Sequence, residues 1–184
     1  MDITQKQLLD AVPGLYKARL DEFVASFNMF HAYFGLNTRD RIIHYLAQVF
    51  HESGSLRYVE ELSSGAQYEG RKDLGNTQKG DGKRFKGRGF IQLTGRKNYQ
   101  DFYNDGWCSD NVVAYPNLVS NFPLNQMVSM WFWDRNNLND LADLDNGING
   151  EDIVKKITRK VNGGYNGLDE RVKFYQKFKK IIKE

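Results

Sequence analysis

The chain has 184 residues, of which 40% are hydrophobic and 27% charged, with a formal net charge of +3 and one cysteine, Cys108. That length suits a single domain over residues 1–184, burying roughly 70% of its unfolded surface without staples, and one thiol excludes an internal disulfide framework. No apolar run approaches the ~18 residues of a membrane span, and Met1 to Lys6 lacks the basic-then-apolar pattern of a secretory leader, so neither membrane insertion nor a signal peptide is expected.

Thr4 and Gln7 form a capping-box pattern that opens a short helix ending at Pro13-Gly14. Leu20, Phe23, Val24, Phe27, Phe30 and Phe34 then recur at helical spacing up to Gly35. Thr38 is placed to cap a third helix, whose residues Ile42, Ile43, Leu46, Ala47, Val49 and Phe50 form a broad apolar face. Glu52 stands at its C-terminal end, just before Gly54. From residue 55 to 93 glycines are frequent and helical periodicity disappears; Leu56 to Val59 and Gly89 to Leu93 are expected to pair as a small sheet. Helices resume around Asn98 to Tyr103, from Leu124 to Asn136, from an Asn149 cap to about Val161, and from Leu168 to Ile182. The economical reading is an α+β fold, predominantly α-helical, with a small β insertion.

The chemistry concentrates in two places. Glu52 ends its helix among unsatisfied carbonyls and the negative end of the dipole, a setting suited to a side chain that must hold and deliver a proton. Glu61 follows nine residues on, after a turn, and can face Glu52 only across a groove. Glu60 points to the opposite side if this segment is extended, and Glu69 is expected to pair with a local arginine; both remain alternatives to Glu61. Two carboxyls are the parts that hydrolysis of a glycosidic bond requires. A zinc site is not expected: His51-Glu52 lacks a second histidine at position 55, and His44 has no ligand set near it. Between residues 71 and 97, nine Lys and Arg residues face only Asp73 and Asp81, a patch suited to an anionic polymer. No nucleic-acid reading motif accompanies it.

The ordered motifs His51-Glu52-Ser53-Gly54, Glu61, Gly75 to Gly82, Gly87 to Arg96 and Val161-Asn162-Gly163-Gly164 together resemble family 19 glycoside hydrolases, and the compact phage endolysins more than the disulfide-rich plant chitinases. The resemblance runs from about residue 38 to 176. It implies a lysozyme-like fold and an inverting hydrolysis of β-1,4 links between N-acetylated sugars, with no metal and no cofactor. It also implies Glu52 as general acid, Glu61 as general base and Thr94 as a hydroxyl that holds the attacking water. Gln92, Asn98, Asn162 and Arg171 match residues that line the sugar cleft or order a carboxyl, and Tyr99 is placed as a cleft wall. An arginine keeps a carboxylate ionised, which suits a base, so Arg171 is expected nearer Glu61. The sequence departs from the family pattern at Glu60-Glu61-Leu62.

The function expected is hydrolysis of bacterial wall glycan, by a monomer whose partners are the peptidoglycan strands. A phage lysin that accumulates in the host bacterial cytoplasm and is released by a holin-type partner fits this reading. An injected toxin with an immunity partner, a chitinase and a non-catalytic glycan-binding module are the alternatives. Nucleic acid is not an expected partner.

Overall fold

The computed structural model describes residues 1–183. Helix α1 (Gln5–Ala11) opens on the expected capping box, with Thr4 and Gln7 satisfying each other's exposed backbone donors. Helix α2 (Leu20–Phe30) follows a 3-10 turn and stops earlier than the phenylalanine spacing suggests. Phe34 is buried from the turn beyond it, where Gly35 takes a positive φ. Thus the apolar spacing reported burial correctly and helix length less well.

Helix α3 (Arg39–Glu52) is the axis of the molecule. Thr38 caps it by accepting the Arg41 N–H, and every residue from Ile42 to Phe50 is buried. A helix buried on all faces needs partners on all sides. Downstream lie α4 (Asp81–Arg84), α5 (Arg96–Asn104), α6 (Leu124–Arg135), α7 (Leu138–Ala142), α8 (Gly150–Asn162) and α9 (Leu168–Ile181), with 3-10 turns at Ala66–Tyr68, Lys72–Leu74 and Pro116–Ser120. Asn149 does precede α8, but its side chain bonds Asn146 N–H and Leu144 O instead of capping the helix. Phe50 packs edge-on against Phe23 and Phe178, joining α2 and α9 through α3.

Helices α3 and α9 run antiparallel, and polar rungs mark their register. Arg39 donates to the carbonyls of Ile182 and Lys179 at one end. In the middle, His44 stacks on Tyr175 with centroids 4.7 Å apart, and both bond Asp145 Oδ2, at 2.9 and 2.6 Å. At the other end Gln48 and Glu52 both accept from Arg171. Gly167, at φ +69°, begins α9 against the His51 ring; a Cβ there would come within 2.0 Å of that ring.

The expected small sheet is reduced to two isolated antiparallel bridges, Glu60 to Arg88 and Arg88 to Leu93. Residues 55–95 instead form a loop wall built from turns, short helices and side chain to backbone hydrogen bonds. Backbone groups that lack a ladder must find such partners.

Candidate functional site

Glu52 projects from the last turn of α3, where packing against α9 fixes it. Its Oε1 accepts from Arg171 Nη2 at 2.5 Å, and its Oε2 takes no hydrogen bond among the described residues. Arg171 is fully buried, and its other groups donate to Gln48 Oε1 at 2.6 Å and to the carbonyl of Asn166. The expectation that Arg171 sits nearer Glu61 is therefore corrected. Residues 48 and 52 lie one helical turn apart on a single face of α3, and one guanidinium fork spans both. Beside this rung His51 pairs with Glu170 at 2.5 Å.

Glu61 is held by a different kind of structure. Its Oε1 accepts from Ser63 Oγ, from Gln67 Nε2 at 2.7 Å and from Tyr68 Oη at 3.1 Å, while Oε2 accepts from the Gly87 N–H at 3.0 Å. Its own N–H donates to the Gly87 carbonyl. Gly87 makes a close approach here: a Cβ would stand 2.8 Å from Gln92 Oε1 and 3.3 Å from Glu61 Oε2, so a larger residue would displace the Gln92 amide and press on the carboxylate. Ser63, Gln67 and Tyr68 were not singled out in the sequence. Their partner is reached through a loop that follows no period, and only the Gly87 motif hinted at a close approach.

The two alternative carboxylates have other partners. Glu60 turns to the opposite side, as an extended segment requires, and binds Lys86 at 2.8 Å, Arg88 at 3.4 Å and Ser120 at 3.2 Å. Burial pushes its carboxyl up, but Lys86 and Arg88 outweigh that and hold it below its ordinary value. Glu69 does not pair with an arginine: Arg71 binds Asp73, and Glu69 accepts the N–H groups of Gly80 and Gly82 at 2.6 and 2.8 Å. Those two donors hold its carboxyl below the usual range.

Thr94 donates its hydroxyl hydrogen to the Gln92 carbonyl at 2.8 Å, which leaves the oxygen's lone pairs as acceptors. Asn98, on α5, donates to the Thr94 carbonyl at 2.7 Å and so orders that strand of chain. Gln92 sits at φ +59°, a left-handed conformation uncommon outside glycine, with its amide donating to Gly89 O. Asn162 is exposed at the end of α8. Tyr99 is not a cleft wall. It is fully buried, donates to Lys86 O at 2.9 Å and accepts from Arg88 Nη1 at 3.1 Å, and burial pushes its hydroxyl up to about 12. Its period on α5 places it on the core face, where an aromatic ring gains most by burial. No group of three metal-ligating side chains occurs among the described residues.

No family model matches the chain. A family 19 glycosyl hydrolase domain-containing protein of Haemophilus influenzae is 34% identical over 116 residues, covering 63% of this chain and 52% of that protein. An endochitinase of Arabidopsis thaliana is 34% identical over 163 residues, covering 85% of this chain and 53% of its own length. In sequence the chain is similar to family 19 glycoside hydrolases, endochitinases among them. It spans about half the length of the curated relatives it matches. Its fold is also that of chitinase C from Streptomyces griseus, with a TM-score of 0.64 at 20% identity over 97% of this chain and 76% of that one. A class IV chitinase from Zea mays gives a TM-score of 0.65 at 20% identity, covering 93% and 83% of the two chains. The lysozyme-like fold expected of the family is thus present, its β component reduced to the two bridges.

Proposed function

We propose that the chain hydrolyses β-1,4 glycosidic bonds of bacterial wall glycan with inversion, using Glu52 as general acid and Glu61 as general base. One observation carries the pairing. Each carboxylate has one oxygen well anchored, by Arg171 for Glu52 and by three donors for Glu61, and a second oxygen free or held only by the Gly87 N–H. An anchored oxygen fixes orientation; a free one can meet a reacting atom.

In this reading Glu52 Oε2 carries the proton to the leaving oxygen, and Arg171 balances the negative charge that then appears on Glu52. A cation beside an acid is useful when it stabilises the conjugate base formed in the transition state. Arg171 thus serves the departure of the proton from Glu52, where the sequence reading had expected it to order the base. Glu61 Oε2 takes a proton from water on the far face of the sugar, and the Thr94 oxygen accepts that water's second hydrogen. An inverting site leaves roughly 6.5–9.5 Å between the carboxyls for this water. Gln92 and Asn98 support the sugar on the loop side and Asn162 on the α8 side.

The wall glycan is preferred over chitin because Lys72, Lys79, Lys83 and Arg84 pair with no carboxylate among the described residues, unlike the other cations between residues 71 and 97, and peptidoglycan carries carboxylates where chitin carries none. The chitin reading has its own support in the names of the curated relatives, several of which are endochitinases. Mass spectrometry of muropeptides released by the purified protein tests both. New reducing ends on wall glycan are expected, with chitin oligomers incubated in parallel left intact; proton NMR of the fresh product should show the inverted anomer. Cleavage of chitin oligomers alone would reverse the choice.

A further inference from the structure

Five of the nine cations between residues 71 and 97 contact a carboxylate: Arg71 contacts Asp73, Lys86 and Arg88 share Glu60, Arg96 contacts Asp81 and Lys97 contacts Asp101. Lys72, Lys79, Lys83 and Arg84 contact none among the described residues, and of these Arg84 is the one whose charge is oriented by the backbone. Its guanidinium donates through Nη2 to the carbonyls of Val113 and Ala114, at 3.0 and 2.9 Å, and pairs with no carboxylate among the described residues. Carbonyls orient a cation without cancelling its charge, and Nε and Nη1 remain uncommitted.

Arg84 lines a cavity of about 410 Å³ with Gln78, Arg96, Gln100, Tyr103 and Asn111, and no Asp or Glu contributes to its wall. Two guanidinium groups rest on the Phe85 ring there, Arg84 at 5.6 Å and Arg96 at 4.7 Å from its centroid, so both are held in place. Asn111 spends its carbonyl oxygen on the Ala114 N–H and keeps its amide hydrogens, while the Tyr103 hydroxyl makes no hydrogen bond to the protein among the described residues. The wall therefore offers several donors, one net uncancelled positive charge and no competing anion.

Arg96, Gln100 and Tyr103 recur at i, i+4 and i+7 on one face of α5, and Asn98 stands nearly opposite. The cavity is thus about one helix diameter, ~10–12 Å, from the side where Asn98 meets Thr94. An extended peptide of three or four residues spans about 10–14 Å.

We propose that the Arg84 cavity binds a terminal carboxylate of the peptide carried by the wall glycan, while the sugar meets Glu52 and Glu61 as in the reading above. The peptide class rests on the wall-glycan reading above; the preference for a carboxylate rests on the cavity itself. A site of this kind selects peptide-bearing strands without entering the chemistry.

Two measurements test it. With intact wall glycan, Arg84→Ala raises KM about fivefold, the upper range for an exposed charge pair, and leaves kcat and the KM for peptide-stripped glycan unchanged. Equal losses on both substrates, or none, overturn the proposal. Because Arg84 also steadies residues 113 and 114, Tyr103→Phe serves as the variant that cannot disturb the fold, with a smaller KM rise on intact glycan only. Separately, an N-acetylated tetrapeptide ending in D-alanine shifts the Gln100 and Asn111 side-chain amide resonances of the wild-type protein but not of Arg84→Ala. The same shifts from the C-terminal amide of that peptide, or tighter binding of poly(glycerol phosphate), overturn the assignment. If neither glycan is cleaved but the peptide binds as described, the hydrolase reading fails and the carboxylate site stands.

Discussion

The two walls that carry the candidate carboxyls are built on opposite principles. Glu52 belongs to the α3 and α9 wall, where side chains 101 to 143 positions apart in sequence meet in the core and a buried arginine fixes the carboxyl. Glu61 belongs to the loop wall, where three of its four side-chain partners lie within seven positions and the fourth is a backbone N–H. The first wall is stable because it is packed and the second because its polar groups are paired. Damage to the helix wall should therefore appear in stability and rate together, and damage to the loop wall mainly in rate.

Glu52→Gln has the largest expected effect and separates the reacting group from the helix wall that holds it, because it leaves the packing of that wall in place. It keeps the Arg171 contact through the amide oxygen but removes the transferable proton, so turnover should fall ~10³-fold or more, within the range for a general acid. Urea denaturation should show a fold of nearly unchanged stability; wild-type turnover would remove Glu52 from its role. Arg171→Met keeps bulk and apolar stem but leaves Glu52 and Gln48 without their donor. Breaking a buried pair costs about 3–5 kcal/mol, and the loss should be read from urea unfolding and accompanied by reduced activity.

Asp145→Asn probes the middle of the same wall away from the reacting groups. His44, then Tyr175 and the Gly147 N–H, hold the Asp145 carboxyl well below its ordinary 3.8, and its side chain is only 1% exposed. A carboxyl depressed in the folded state contributes stability that is present above its unfolded value and lost as pH falls toward its folded value. The variant should be about 2–3 kcal/mol less stable at pH 7, as expected for hydrogen bonds to a charged group. The gap should narrow below about pH 3.8. A gap that stays constant in denaturation curves taken at pH 7 and pH 3 would contradict the ionised cluster. The smallest effect belongs to the loop wall: Thr94→Ala should slow turnover about tenfold, equal to ~1.4 kcal/mol at the barrier, with thermal unfolding shifted little.

Local pattern made much of the framework legible before any coordinates. The Thr4 and Thr38 caps, the apolar stripe of α3 and the position of Glu52 at its end follow from rules that operate within one or two helical turns. The alternation of Glu60 and Glu61 followed as well, since adjacent side chains in an extended segment must part. Short-range rules mislead where they are extended across space: the phenylalanine spacing runs four residues past the end of α2 because Phe34 is buried from a turn, and the arginine local to Glu69 is held by Asp73. The cleft-wall position that the resemblance implies for Tyr99 fails because that ring faces the core.

What the chain determines by itself is where helices start and stop, which faces are apolar and which polar residues are available at the ends. The partners of the charged groups at the candidate site were decided by tertiary structure. Arg171 reaches Glu52 across 119 positions and Arg88 reaches Glu60 across 28, and no period in the sequence encodes such distances. The physical reason is that burial makes an unpaired charge costly, so pairing is settled only when packing brings specific side chains within hydrogen-bond reach.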